Sequence, residues 1–178
     1  MAGTLEDDVL AELNFARTQP RQYARELQRE AASARREIGY ADEDPGAVDE
    51  AIAFLMRQEP LPPLRGDRRL ADAALAHALR QGPRGDVGHG GETGGESLGQ
   101  RLQRSGVWAG LAAENISYGY ETPREVIRQL IVDAGVASRG HRKNIFGKAF
   151  QAVGVGCGPH RTYAAMCVID FAGAFVVR

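Results

Sequence analysis

The chain has 178 residues, 43% of them hydrophobic and 25% charged, which is the composition of a folded soluble protein and excludes disorder, collagen and coiled coil; the length suits one domain with a sizeable core. Lys and Arg number 22 against 23 Asp and Glu, a formal net charge of −1, so no global field draws the chain to nucleic acid or to an anionic membrane. No apolar run approaches the roughly 18–20 residues of a membrane-spanning helix, and the acidic opening Met1 to Asp8 has no apolar stretch of the signal-peptide kind.

Thr4 with Asp7 three residues later resembles a capping box, with Asp in place of the usual Glu or Gln. Leu5, Val9, Leu10 and Leu13 then recur at helical spacing and predict a helix over 5–17. Pro20 restarts the chain, and Tyr23, Leu27 and Ala31 predict a second helix to about residue 36. Its arginines, at 17, 21, 25, 29, 35 and 36, outnumber its acids and read as a solvated face, ahead of a strip for an anionic ligand. Asp42-Glu43-Asp44-Pro45-Gly46 is an acidic turn, and 47–57 predicts a short helix. Glu59 to Leu64 must be extended, because each of Pro60, Pro62 and Pro63 disfavours helix in the residue before it.

Asp67 caps a helix predicted over 68–80. Gly82 to Gly95 is a glycine-rich loop containing His89, and 96–104 predicts a short helix. Thr122-Pro123-Arg124-Glu125 is a second start signal, with Thr as N-cap, Pro at N1 and Glu at N3. The helix it opens should end near 133–135. The period then changes: 151–157 and 163–171 are strand-like and form a hairpin with a five-residue loop at 158–162. Helices first and strands last indicate an α+β domain in which helices cover an antiparallel sheet.

Chemistry concentrates in Gly88-His89-Gly90-Gly91, Ala113-Glu114-Asn115-Ile116 and Gly140-His141-Arg142-Lys143-Asn144-Ile145. Glycine beside a histidine leaves the imidazole accessible, as a metal or proton-transfer site requires. A neutral imidazole suits zinc or copper, and a carboxylate could complete or orient such a site. Read from chemistry alone, two separated histidines and one Glu serve equally well as hydrogen-bonding residues of the fold.

The order of His89, Glu-Asn-Ile at 114–116, Gly-His-Arg-Lys-Asn-Ile at 140–145 and a glycine-rich terminal hairpin resembles the CAP superfamily. This family takes in cysteine-rich secretory proteins, venom antigen 5 and plant pathogenesis-related proteins, and the chain looks like a bacterial, SCP-like member. The resemblance runs from Leu13-Asn14-Phe15-Ala16-Arg17 to the last strand, so residues 1–178 read as one such domain, with helices over 4–57 as part of it or an extension to it. It implies a three-layer α–β–α sandwich around a central antiparallel sheet with a C-terminal β-hairpin. It also implies a cleft in which two His and two acids can hold a divalent metal such as zinc.

Carried over, His89, Glu114 and His141 take three of those four positions. The fourth is normally a Glu, often after a Trp; Asp133 is the nearest residue and is one methylene shorter. His89, Glu114 and His141 are also the candidates for any catalytic role. Asn115, Arg142 and Asn144 would support the cleft. Asn115 reads as pinning a turn, Arg142 as half of a buried ion pair with Asp133 or Glu114, and Glu114 reads equally as an anchor of its own loop. His77 reads as a packed helix residue and His160 as a solvated hairpin tip. Cys157 and Cys167 lie on opposite arms of the hairpin. Cys167 matches a family cysteine that is normally disulfide-bonded, so a cross-strand bridge and two free buried thiols both stay open.

For function, the resemblance implies an extracellular or periplasmic binding domain for a lipid, sterol, glycan or protein partner. A metal- or His/Glu-dependent hydrolase of peptide, ester or glycan bonds is the alternative, and a structural surface-interaction protein is the third. The sequence has no Gly-x-Ser-x-Gly or His-Glu-x-x-His motif. Ser117 and Ser138, near the motifs, read as caps rather than nucleophiles. Binding is therefore placed ahead of catalysis.

Overall fold

The computed structural model describes residues 3–34, 44–90 and 95–178. Three helices open the chain: α1 Leu5–Thr18, α2 Pro20–Ala34 and α3 Pro45–Arg57. Thr4 caps α1 through the full reciprocal box with Asp7. α3 begins two residues earlier than its apolar pattern indicates, because Asp44 caps it by accepting from Gly46 N at 2.9 Å. The predicted end of α2 near residue 36 and the acidic residues Asp42 and Glu43 lie outside the described residues.

The connector after α3 is extended, as its prolines require. Asn14 clips it by a two-way hydrogen bond, Nδ2 to Leu64 O at 3.0 Å and Leu64 N to Oδ1 at 2.8 Å. Arg17 is not part of a solvated face. It is 1% exposed, donates to Pro62 O, Ile145 O and Gly147 O, and burial lowers its pKa to about 10. Arg21, Arg25 and Arg29 are exposed, as read.

The two-residue β1, Arg65–Gly66, leads into α4, Arg68–Gln81, whose first turn Asp67 caps. A single 3₁₀ turn, Gly82–Arg84, follows. The next helix, α5 Leu98–Arg104, starts two residues later than predicted, because Ser97 and Gln100 form its capping box. β2 Val107–Ala109 and β3 Ala112–Tyr118 come next, and neither strand is legible in the periodicity. α6 Pro123–Val132 is capped by Thr122 and closes on Asp133; α7 Gly140–Ile145 is a short helix.

The chain ends in β4 Ala152–His160, β5 Ala164–Ala172 and β6 Phe175–Val177. β4 and β5 form the predicted hairpin, but its loop is three residues rather than five. The reason is His160, 2% exposed rather than solvated. Its Nε2 lies 2.9 Å from Asp86 O, and its Nδ1 accepts from Thr162 N and Tyr163 N at 3.2 Å each, which tightens the turn.

The main sheet has the order β1-β4-β5-β3, antiparallel except for the short parallel β1–β4 pair; β2 and β6 form a separate antiparallel ribbon. Cys157 and Cys167 face each other across β4–β5 and form a disulfide. Alternation along the strands builds two layers. Val153, Val155, Ile169 and Phe171 pack on α1, α2, α3 and α6 in one core. Ala152, Ala172, Met166 and Val168 turn the other way, toward α4 and α5.

The α4 layer sits very close to β4. A Cβ at Gly154 would lie 2.0 Å from Ala71 N, and one at Gly156 would lie 2.1 Å from Leu75 N. Backbone occupies that space and cannot yield. Gly154→Ala or Gly156→Ala is therefore expected to cost more than about 3 kcal/mol or to prevent folding, as read by denaturant unfolding. Exposed Gly99 in α5 has nothing within 4 Å of a Cβ, and Gly99→Ala should stabilise by about 0.5–1 kcal/mol in the same assay.

Candidate functional site

Three side chains fix the loop that carries His89. Gly88 O accepts from Gln81 Nε2 at 2.7 Å and lies 3.2 Å from His77 Nε2, while Gly88 N donates to the Tyr118 hydroxyl at 2.9 Å. His77 is 2% exposed, and burial, then the nearby Arg101 charge, holds its pKa down, so the ring is neutral. With Gly88 held, Arg101 Nη1 donates to His89 O at 2.8 Å and to Glu96 O at 2.9 Å. The His89 imidazole then turns onto β3, with Nδ1 2.8 Å from Glu114 Oε1.

Glu114 is on a strand, not in a loop of its own. Its side chain is 2% exposed, and its second oxygen pairs with the equally buried Arg101. Burial pushes the Glu114 carboxyl up, but the His89 hydrogen bond and the Arg101 charge outweigh it and hold the group below its ordinary range. Asp170 lies opposite in the β3–β5 register and is fully buried. Burial first, and the Glu114 charge second, push it well above its ordinary value, toward the protonated form.

A second imidazole–carboxylate pair is built at the end of α6. Asp133 adopts the left-handed conformation that closes the helix, φ 54° and ψ 40°, which Asp tolerates better than most residues. It is completely buried. Its Oδ2 accepts from His141 N at 2.9 Å and its Oδ1 lies 2.7 Å from His141 Nδ1.

Arg142 pairs with neither Asp133 nor Glu114. It donates to Ile131 O and Val132 O, the last carbonyls of α6, and to Glu50 Oε1 at 2.8 Å. Arg139 reaches the same Glu50, at 2.6 Å. Those two hydrogen bonds hold the Glu50 carboxyl at about 2. Asn115 is likewise on a strand and pins no turn. Its Nδ2 donates to His141 O at 3.0 Å and its Oδ1 accepts from Asn144 Nδ2 at 2.9 Å, which clips α7 to β3.

The structure thus brings His89 to Glu114 and His141 to Asp133, as two pairs on the two faces of β3. It does not gather the four into one cluster: among the described residues no group of three or more His, Cys, Asp or Glu is placed to hold a metal. A four-ligand set does not fit these positions, because the oxygens of Glu114 and Asp133 are already engaged by Arg101, by the imidazoles and by a main-chain N–H. The carboxylates act as the partners that fix each ring's orientation, and each ring presents its Nε2 edge. Ser117 Oγ is buried without a partner on the opposite face from Glu114.

Sequence reasoning missed Arg101, Asp170 and Glu50. Asp170 had a signal, a charge inside the apolar run Cys167-Val168-Ile169-Asp170-Phe171. Arg101 and Glu50 had none, since each looks like an ordinary surface residue of a short helix.

The chain matches the cysteine-rich secretory protein family (CAP) over residues 12–171. The uncharacterized protein YkwD of Bacillus subtilis (strain 168) is 32% identical over 100 residues, which are 56% of this chain and 37% of YkwD. This chain therefore spans little more than a third of that relative. An extracellular protein containing an SCP domain from Bacillus anthracis str. Ames superposes with a TM-score of 0.53 at 31% identity, covering 64% of this chain and 35% of that one. An outer surface protein from Borrelia burgdorferi gives 0.52 at 17% identity, over 64% and 79% of the two chains, a likeness of fold alone. No helix among the described residues is long and apolar enough to cross a membrane.

Removing Arg101 leaves the Glu114 charge buried and uncompensated, whereas removing the largely exposed His89 ring does not. Arg101→Ala is expected to cost about 3–5 kcal/mol and His89→Ala less than about 1 kcal/mol, as compared by chemical denaturation. The contribution of Glu50 is complete above its ordinary value of 4.5 and is lost as pH falls toward 2. Glu50→Gln should therefore weaken the docking of α7 near neutral pH and remove that acid dependence, read from amide exchange over 139–145.

Proposed function

The chain belongs to the cysteine-rich secretory protein (CAP) family, and from that premise we propose that it is an extracytoplasmic binding domain. Its ligand, a lipid, sterol, glycan or protein segment, would bind along the flank of β3 between His89 and His141. The observation that carries this reading is the state of the two rings. Each has Nδ1 taken by a buried carboxylate, and the His89 and His141 side chains are 55% and 21% exposed. Carboxylates placed in this way fix each ring's orientation and leave its Nε2 edge free to hydrogen-bond, a geometry suited to orienting a ligand. Extracytoplasmic placement rests on the likeness to the extracellular SCP-domain protein of Bacillus anthracis.

Catalysis is given second place. The described residues bring no nucleophile to either imidazole. A resident zinc would be left with the two Nε2 atoms as ligands from this set, so the proposal needs no metal.

Two measurements check this. Imidazole resonances of His89 and His141 should shift with at least one member of a lipid, sterol and glycan panel, and the His89→Ala, His141→Ala double variant should lose that ligand while remaining folded. Metal-stripped protein titrated calorimetrically with Zn²⁺ should take up no stoichiometric ion. Stoichiometric uptake abolished in the double variant would overturn the metal-free reading in favour of a metal site.

A further inference from the structure

On the side of the main sheet that α4 and α5 cover, the apolar contacts fall into two separate clusters. One gathers Leu70, Ala73 and Leu102 with Ala152 and Ala172; the other gathers Ala74 and Ala78 with Ile116, Met166 and Val168. The row between them is Gly154, Asp170 and Glu114, paired across β4, β5 and β3. Gly154 has no side chain, and Glu114 turns its carboxylate to Arg101 and His89. Asp170 stands in the gap between the two clusters, and among the described residues neither of its oxygens has a hydrogen-bond partner.

Two neighbouring side chains share that condition. Arg101 commits Nη1 to His89 O and Glu96 O and Nη2 to Glu114, but its Nε–H has no partner. His77 places Nε2 3.2 Å from Gly88 O. A carbonyl only accepts, so this nitrogen carries the proton of the neutral ring and Nδ1 is a bare acceptor; Nδ1 also lacks a partner. The same two charges, Arg101 and Glu114, act on both His77 and Asp170. His77, Arg101 and Asp170 are 2%, 3% and 0% exposed, and polar groups this buried are nearly always satisfied.

We propose that this space is a binding site for an internal water molecule, held by Arg101, Asp170 and His77. The hydrogen-bond inventory fits water: its oxygen accepts from the Arg101 Nε–H, and its two hydrogens go to an Asp170 oxygen and to His77 Nδ1. A cation would be repelled by Arg101. An anion would meet the Asp170 oxygens and bring no hydrogen to His77 Nδ1. An apolar guest would leave all three groups unpaired.

A way in exists beside the site. A cavity of about 170 Å³ between α4 and α5 is lined by Ala73, Arg80, Glu96, Arg101 and Arg104, so solvent reaches the Arg101 guanidinium from that side. The water also has a task. Arg101 is the residue that holds both the His89 carbonyl and the Glu114 carboxylate, and the water fixes the remaining Nε edge of the same guanidinium. The exposed His89 ring is then backed by Glu114, Arg101 and the water in series. This site stands whether or not the flank of β3 takes a ligand.

The test begins with the unaltered protein. Rotating-frame Overhauser transfer from water should show dipolar contact, not exchange, at the Arg101 Nε–H, and the His77 Nδ1 resonance should be that of a hydrogen-bonded acceptor. Oxygen-17 relaxation dispersion should then lose about one long-lived water in Asp170→Leu and none in Asp170→Asn, whose amide oxygen still accepts. The His89 ring resonances should move in Asp170→Leu and stay in Asp170→Asn. If Asp170→Leu does not fold, the two signals of the unaltered protein decide alone. Absence of the Overhauser contact at the Arg101 Nε–H, a dispersion that Asp170→Leu leaves unchanged, or a scalar coupling showing a direct Arg101–Asp170 hydrogen bond would each overturn the proposal. A His89 ring unmoved in folded Asp170→Leu would overturn the backing role given to the water.

Discussion

The close seat of α4 on β4 is the constraint from which the rest follows. Helix backbone lies where the side chains of Gly154 and Gly156 would be, so the helix settles onto the sheet at a fixed depth. That depth puts Ala74 and Ala78 against Val168 and Met166, with no larger residue needed between the layers. It also carries His77 and Gln81 to the far end of the sheet, where they hold Gly88 together with Tyr118 of β3. His89 is one residue beyond. The position of an exposed imidazole is thus set by two glycines some 65 residues away in sequence.

Charge is organised around the same strand. Arg101 and Glu114 are both withdrawn from water, which is costly for each alone and acceptable for the pair only because Arg101 also binds two carbonyls. A third charge in that space is disfavoured, and the Asp170 carboxyl beside them is pushed well above its ordinary value. On the other face, the arginines that flank His141 close the end of α6 and reach α3 through Glu50. The two imidazoles are therefore backed by different parts of the fold, the α4–α5 layer for His89 and the α3–α6–α7 layer for His141. They converge only at the edge of β3, through the adjacent residues Glu114 and Asn115.

Much of the helical part was legible because its signals are local. Thr4 with Asp7, Asp67 and Thr122-Pro123 each cap a helix through atoms a few residues apart, and the apolar spacing of Leu5 to Leu13 needs only its own turn. The hairpin was legible from alternation. β3 was not, since Ala112 to Tyr118 is a strand lying at the edge of the sheet whose buried positions include Glu, Asn and Ser; its pairing comes from β5, more than 40 residues later. The same cause hid the shortness of the β4–β5 loop, which depends on a contact between His160 and Asp86.

By itself, the sequence determined the starts of α1, α4 and α6, the α+β class, the family motifs and the residue types that could do chemistry, because each is written in neighbours along the chain. Only the tertiary structure decided which acid meets which imidazole, that Arg142 serves Glu50 and the end of α6, and that Asp170 is pushed above its ordinary value. These are outcomes of burial and of distances between residues far apart in sequence, and desolvation in particular has no local trace: Glu114 and Asp170 carry the same group, and the partners that the folded chain brings to each hold one below its ordinary value and push the other above it.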